Sequence, residues 1–515
     1  MRQAWHPPRW PEPDERVGRG IPRVGPTGDD VPMDRKRVEF YTALGYRAPS
    51  ASATAQTTSG AASADVSELP PLGPDDLGAL RERFLREPEE ILSLIRQDLG
   101  APVSEGALVH VLQEMEQSLR EPEAALQALK QPAFQARASV SLPPDFTFPL
   151  MTNEIPIDPA RTRFEPVADL RGWLLFSGRA WLHGGWHRAE FRRHDDAHHA
   201  TRFRYELREP APGRPVEVAL FGGFGTGEYP ARYVARQLIM RGERLEYAVH
   251  LGGVYYAGRQ GEFDAHVAEP LEPLLPVTTL MTLNAGSEMR SGGTPFYRYL
   301  DERRGASRAK QVQEGSYFCL ASERFQLIGL DTAYFEPGRH QEPALLSWLE
   351  SVLKEGRQRG ATNILLSHDA PYRYGEPRHA GLLEDLRELA VERAQVDLWF
   401  WGATPYGALF DRSAAFPFLG GSLGHAGLPV RAVTPGLKSP APVRFLESHA
   451  RFPEWTDLRP ELGNNGYGSL LLHEDGTLGL QLLDWRGNVR CTAKLAREGM
   501  GPLTYQHLET SESEP

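Results

Sequence analysis

The residues of this chain with the chemistry to act sit on short loops rich in glycine. Phe221-Gly222-Gly223-Phe224-Gly225-Thr226-Gly227 is the first and His250-Leu251-Gly252-Gly253-Val254-Tyr255-Tyr256 the second. Leu283-Asn284-Ala285-Gly286-Ser287-Glu288-Met289 is the third, and Leu366-Ser367-His368-Asp369-Ala370-Pro371-Tyr372 and Trp401-Gly402-Ala403-Thr404-Pro405-Tyr406-Gly407 come later. Three chemistries compete for such a set. His368, Asp369, Glu288 and Tyr256 carry nitrogen and oxygen donors of the kind that hold metal ions. Ser287 and His368 supply a nucleophile and a base if their loops converge, but no Gly-x-Ser-x-Gly elbow surrounds Ser287. A glycine-rich turn between strand and helix cradles phosphate with its amides. Here the spacing fails: counting from Gly223 the sixth residue is Glu228, counting from Gly225 it is Pro230, and no Gly-Lys-Ser/Thr occurs. Only a looser anion-binding nest stays open. A second cluster, His183, His187, His194, His198 and His199, matches no metal-binding spacing and reads as solvated histidines of a polar hairpin and loop.

The loops need elements to hold them. Short apolar runs precede them at Val216–Phe221, Tyr247–Leu251, Val277–Leu283, Phe325–Leu330, Asn363–Leu366 and Val396–Trp401, and these are expected strands. Helical stretches are expected at Tyr229–Met240, Gln341–Glu355 and Leu382–Arg393. The alternation specifies a layered α/β domain, in which ligands gather where strands end. Ser469–His473 and Leu478–Asp484 flank Glu474-Asp475-Gly476 and read as a closing β-hairpin.

This ordered set of loops resembles the metallophosphoesterase superfamily, the calcineurin-like and purple-acid-phosphatase proteins, over about residues 216–410. Its members show a Gly-Asp-x-Gly or Asp-x-His loop, a Gly-Asp-x-x-Tyr loop, Gly-Asn-His-Glu/Asp, a later His, and Gly-His-x-His. The resemblance implies a four-layer αββα sandwich and a pair of metal ions about 3.5–4 Å apart that clamp a phosphoester. Carried over residue by residue, the first Asp falls at Gly223, the bridging Asp at Gly253, the Asn at Gly286, and the last two His at Ala403 and Pro405. None of these side chains donates an electron pair. The His beside the Asn falls at Ser287, while Tyr256 and His368 keep ligand types, with Asp369 next and Glu288 closing the third loop. Without the bridging carboxylate nothing offsets the repulsion between two cations. The expected protein is therefore a degenerate, catalytically inactive member with no cofactor, whose former metal pocket binds an unidentified small molecule or protein. Tyr255, Tyr256, Tyr372, Trp401 and Tyr406 are expected to line that pocket, and restoring all five ligands as a set is expected to raise metal affinity. The alternative is a phosphoester hydrolase with a rebuilt site, holding one ion on His368 with Asp369, Glu288 or Tyr256.

Bulk properties set the frame. The chain has 515 residues, 40% hydrophobic, with a formal net charge of −11. The acidic balance argues against nucleic-acid and anionic-membrane partners, which favour a basic face. Two cysteines give no disulfide framework and fit a reducing, cytoplasmic setting. No apolar leader and no run long enough to span a membrane is present. The expected organisation is a disordered leader at 1–74, a helical region at 75–135, a β-rich segment at 140–212, the metallophosphoesterase-like domain at 213–490 and a C-terminal tail at 491–515. The helical region shows Leu108, Val111, Leu112, Met115 and Leu119 on one face. Its repeated Leu-Arg-Glu-Pro-Glu, at Leu85–Glu89 and Leu119–Glu123, reads as two separate helix starts.

Overall fold

The computed structural model describes residues 188–305, 312–335, 342–376, 381–428, 432–449, 463–499 and 501–511, with isolated positions between Gly78 and Gln113. Those isolated positions are helical, and Leu108 and Leu112, one turn apart, are both buried. The leader at 1–74, most of the region at 75–135, and residues 140–187 with His183 and His187 lie outside the described residues.

Apolar strands build two sheets. One contains β1 (Arg204–Glu206), β5 (Phe318–Ala321), β6 (Phe325–Leu330), β7 (Thr362–Ser367), β8 (Leu398–Trp401), β9 (Gly407–Phe410), β10 (Leu419–Leu423) and β11 (Val443–Leu446), in the order β1-β5-β6-β7-β8-β10-β9-β11. The other contains β2 (Val216–Phe221), β3 (Leu245–His250), β4 (Thr279–Thr282), β12 (Gly466–Leu472), β13 (Leu478–Asp484), β14 (Val489–Arg497) and β15 (Leu503–Thr510), in the order β15-β14-β13-β12-β2-β3-β4. Side chains alternate across each strand, and in these strands both faces are apolar. Val218 and Leu220 meet Leu327, Leu366 and Phe400 between the sheets. Ala219 and Phe221 point outward, under Val234 and Leu238 of α1 (Tyr229–Arg241) and Phe296 and Leu300 of α2 (Thr294–Gly305). On the far side Ile328, Leu365 and Trp399 lie under α3 (Pro343–Arg359). That helix presents Leu345, Trp348, Leu349, Val352 and Leu353 at helical spacing and stops at Gly360 in the left-handed region. The result is the αββα sandwich, built on four layers.

The register decides where the loops emerge. In one sheet Phe221 pairs with His250 and His250 with Thr282. In the other Leu330 pairs with Ser367, Ser367 with Trp401 and Trp401 with Ser422. All of these pairings are parallel, so the loops after β2, β3 and β4, and those after β6, β7, β8 and β10, each begin at one level.

Three expectations are corrected. Residues 491–510 are not a tail: β14 and β15 extend the second sheet, and Cys491, Ala493 and Leu495 alternate into the core. Residues 188–212 are not a separate β-rich unit. Their one strand, β1, pairs with β5 inside the sandwich, Arg204 opposite Cys319. The helix expected over Leu382–Arg393 divides into a turn at Gly381–Asp385 and a π-helical turn at Glu388–Glu392.

Candidate functional site

The loops do converge, and main-chain hydrogen bonds join them. Gly222 N–H donates to Leu423 O at 2.9 Å, and Ala426 N–H returns to Gly222 O at 2.9 Å. Gly223 donates to Gly252 O at 3.1 Å, Gly225 to Gly253 O at 2.9 Å, and Tyr255 to Gly225 O at 2.8 Å. Across the other sheet Ala403 N–H donates to His368 O at 2.7 Å. The first loop is thus tied to the second within its own sheet and to the β10 loop of the opposite one. The amides of Gly222, Gly223 and Gly225 all point at carbonyl oxygens, so these three form no anion nest.

Glycine permits this closeness. Gly223 has φ +61°, and a side chain there would place its Cβ 2.3 Å from the carbonyl oxygen of Gly424. A Cβ at Gly222 would lie 2.6 Å from the Cα of Gly402, and one at Gly402 would lie 2.5 Å from Leu251 O. Gly253 has φ +98°, and its Cβ would meet the Tyr255 hydroxyl at 3.1 Å. Backbone therefore fills the space beside Gly222, Gly223 and Gly402, and the Tyr255 side chain fills that beside Gly253. Gly286 differs: it is exposed and a Cβ there meets nothing within 4 Å. The residues at the positions matched to the metal ligands do not fit a pair of metal ions, and the positive φ of Gly223 and Gly253 disfavours an acidic side chain at either. Ala403 and Pro405 are half-buried and bring no donor.

The donors that remain have been given other partners. Glu288 is fully buried, and its Oε1 accepts Gly253 N–H at 3.0 Å. Its Oε2 accepts the Ser287 hydroxyl. Burial pushes the Glu288 carboxyl above the usual range, while His368, Ser287 and the Gly253 and Val254 amides pull it back. His368, 8% exposed, donates from Nδ1 to Leu251 O at 2.9 Å. When the ring is neutral this bond leaves the lone pair on Nε2, which forms no hydrogen bond to the described residues. Asp369 is half-buried and its N–H donates to Thr332 Oγ1 at 3.1 Å. Tyr256 and Tyr255, both half-buried, pack on Leu428. The structure thus brings Glu288, Ser287, His368 and Gly253 together.

Two expected wall residues are elsewhere. Tyr372 and Trp401 are fully buried in the outer core under α3, stacked edge to face. Conversely, the sequence reading missed several buried polar groups around the loops. His250 is buried, bonds Thr282 Oγ1 through Nδ1 at 2.9 Å, and is held down to about 3 by burial and by His368. Asp331 accepts the amides of Ala333 and Tyr334 at 2.9 Å each and the side-chain amide of Asn284 at 3.4 Å. Burial raises its carboxyl as well. Beyond the loops, His425 is buried with Nδ1 unpartnered and is pushed down to about 4. The one signal for His250 and Asp331 was a polar residue closing an otherwise apolar strand.

No protein-family model and no curated protein matches the chain. Solved structures do resemble it. GAP50, the anchor in the inner membrane complex of Plasmodium, is 13% identical over 56% of this chain and 90% of its own, with a TM-score of 0.43. A purple acid phosphatase from yellow lupin (Lupinus luteus) seeds is 17% identical over 55% of this chain and 54% of its own, with a TM-score of 0.40. A dimetal phosphatase from Danio rerio is 12% identical over 53% of this chain and 97% of its own, with a TM-score of 0.34. Nothing about activity is carried over from likenesses of this size. By its layer order and its two sheets, the chain is an αββα sandwich.

Proposed function

We propose that this protein is a non-catalytic metallophosphoesterase-like protein that acts by binding a small molecule or another protein at its converged loops. The observation that supports the reading is the closure of Gly223 against the carbonyl of Gly424, which leaves no volume for an acidic side chain at that position. The engaged Glu288 supports it further, because its oxygens already accept the Gly253 and Val254 amides and the Ser287 hydroxyl. The proposed location is the cytoplasm, in keeping with two free, buried cysteines. No helix among the described residues is long and apolar enough to cross a membrane.

A second reading, a hydrolase with a rebuilt site, draws on His368 Nε2 and the adjacent Asp369 and Glu288. One experiment separates the two. The purified chain should hydrolyse aryl phosphate esters no faster than buffer, with or without added manganese, iron or zinc. Turnover abolished by a chelator, or two ions per chain lost together on His368→Ala, overturns the non-catalytic reading.

A further inference from the structure

The stretch before β1 carries a side-chain cluster that the converged loops do not use. Asp196, His198 and His199 each offer one ligand atom, and the three atoms lie within 4.8 Å of one another. Two successive turns gather them: Asp196 N–H donates to Arg193 O at 3.2 Å and His199 N–H to Asp196 O at 3.1 Å. Arg193 N–H donates to Asp196 Oδ2 at 3.1 Å and orients the carboxylate. His199 is 3% exposed, and neither of its ring nitrogens has a hydrogen-bond partner among the described residues. Buried polar groups are nearly always paired, so a doubly unpartnered imidazole asks for a ligand. Its ring is held between Phe203, with centroids 4.9 Å apart, and His198, 4.3 Å away.

The separations suit a metal. His199 Nε2 stands 3.9 Å from Asp196 Oδ2, too far for a hydrogen bond. Two ligands at about 2.0–2.1 Å from one tetrahedral ion are about 3.4 Å apart, so a small side-chain adjustment closes the set. The guanidinium of Arg192 does not oppose a cation here, because Asp301 accepts both of its terminal nitrogens, at 2.8 and 2.7 Å.

We propose that Asp196, His198 and His199 bind one divalent transition-metal ion, zinc by the chemistry of two imidazoles and one carboxylate, with a fourth position open to water. The ion closes the turn at residues 196–199 ahead of β1, next to the bond from Thr201 N–H to Glu314 at 3.1 Å. It shares no residue with the former dinuclear centre, so the proposal stands apart from the reading of that centre.

The test uses the full chain without an affinity tag, stripped with a chelator and titrated with zinc against a chromogenic competitor. One equivalent should bind, and cobalt in its place should give the visible spectrum of a tetrahedral site. His198→Ala and Asp196→Asn, both on the outward side of the cluster, should each weaken zinc at least about tenfold, in line with the cost of disturbing a metal's immediate environment. The Asp196→Asn/His198→Ala double variant should lose the zinc-induced rise in Tm while keeping its circular dichroism. Zinc held equally well by the folded double variant overturns the proposal, as does a folded wild-type chain that binds none. So does an ion that disappears on His368→Ala but survives the double substitution.

Discussion

Gly223→Asp is the substitution that best tests how the loops are closed. It restores the first acid of a dinuclear site, and the structure says the chain has no place for it. Two costs combine. The residue has φ +61°, and a left-handed conformation costs a non-glycine residue about 1–2 kcal/mol. The new Cβ would also lie 2.3 Å from Gly424 O, which is backbone and yields only by moving the β10 loop, an overpacking of about 1–3 kcal/mol. Together they come to about 3 kcal/mol, a large fraction of the 5–15 kcal/mol that holds a domain together. With a urea m-value of about 3 kcal/mol/M the midpoint should fall by about 1 M. The control is Gly286→Asn, where a Cβ meets open space and stability should stay within about 0.5 kcal/mol of wild type. Equal midpoints for the two variants, or a Gly223→Asp chain that keeps wild-type stability and gains metal, would refute the closure.

Two further predictions concern pH. The Glu288 carboxyl is raised in the fold above its ordinary value of 4.5, so the native state binds the extra proton. Its contribution is full below the unfolded value and is lost as pH rises through the folded one. Glu288→Gln should flatten the urea midpoint over that window, and a wild-type slope that survives the change refutes the assignment. His250 and His425 are depressed from 6.5 to about 3 and about 4, so the unfolded chain takes up protons first and stability falls as pH drops below 6.5. Neither ring should titrate between pH 7 and 5 by nitrogen NMR, and a transition near 6.5 in either one counts against its burial.

How much of this was legible in the sequence depends on what each residue advertises. Val216–Phe221, Phe325–Leu330 and Leu478–Asp484 form strands over the expected residues, because apolar runs bounded by turn residues leave little choice. The loops that follow were legible for the same reason. Trp401 was misplaced although period-two alternation already separated it from Phe400: Phe400 faces the inter-sheet core and Trp401 the helical layer. β14 was overlooked because Arg490, Lys494 and Arg497 mask the apolar alternation of Cys491, Ala493 and Leu495. The deepest gap lies at the glycines. A sequence shows that Gly223 lacks a carboxylate, but not that Gly424 stands where a side chain on Gly223 would go, since that contact joins residues from opposite sheets.

The contact between Gly223 and Gly424 also bears on how this chain can change. Glycine in one loop lets the facing loop lie close, and the close loop bars anything larger. A mutational path toward a metal-bearing descendant therefore begins with a step that costs stability and confers nothing, because one acid without its companions holds no ion. Both loops would have to retreat together, which no single base change accomplishes. Sequence drift in such a protein is free to explore its exposed surface and is resisted where these two loops meet.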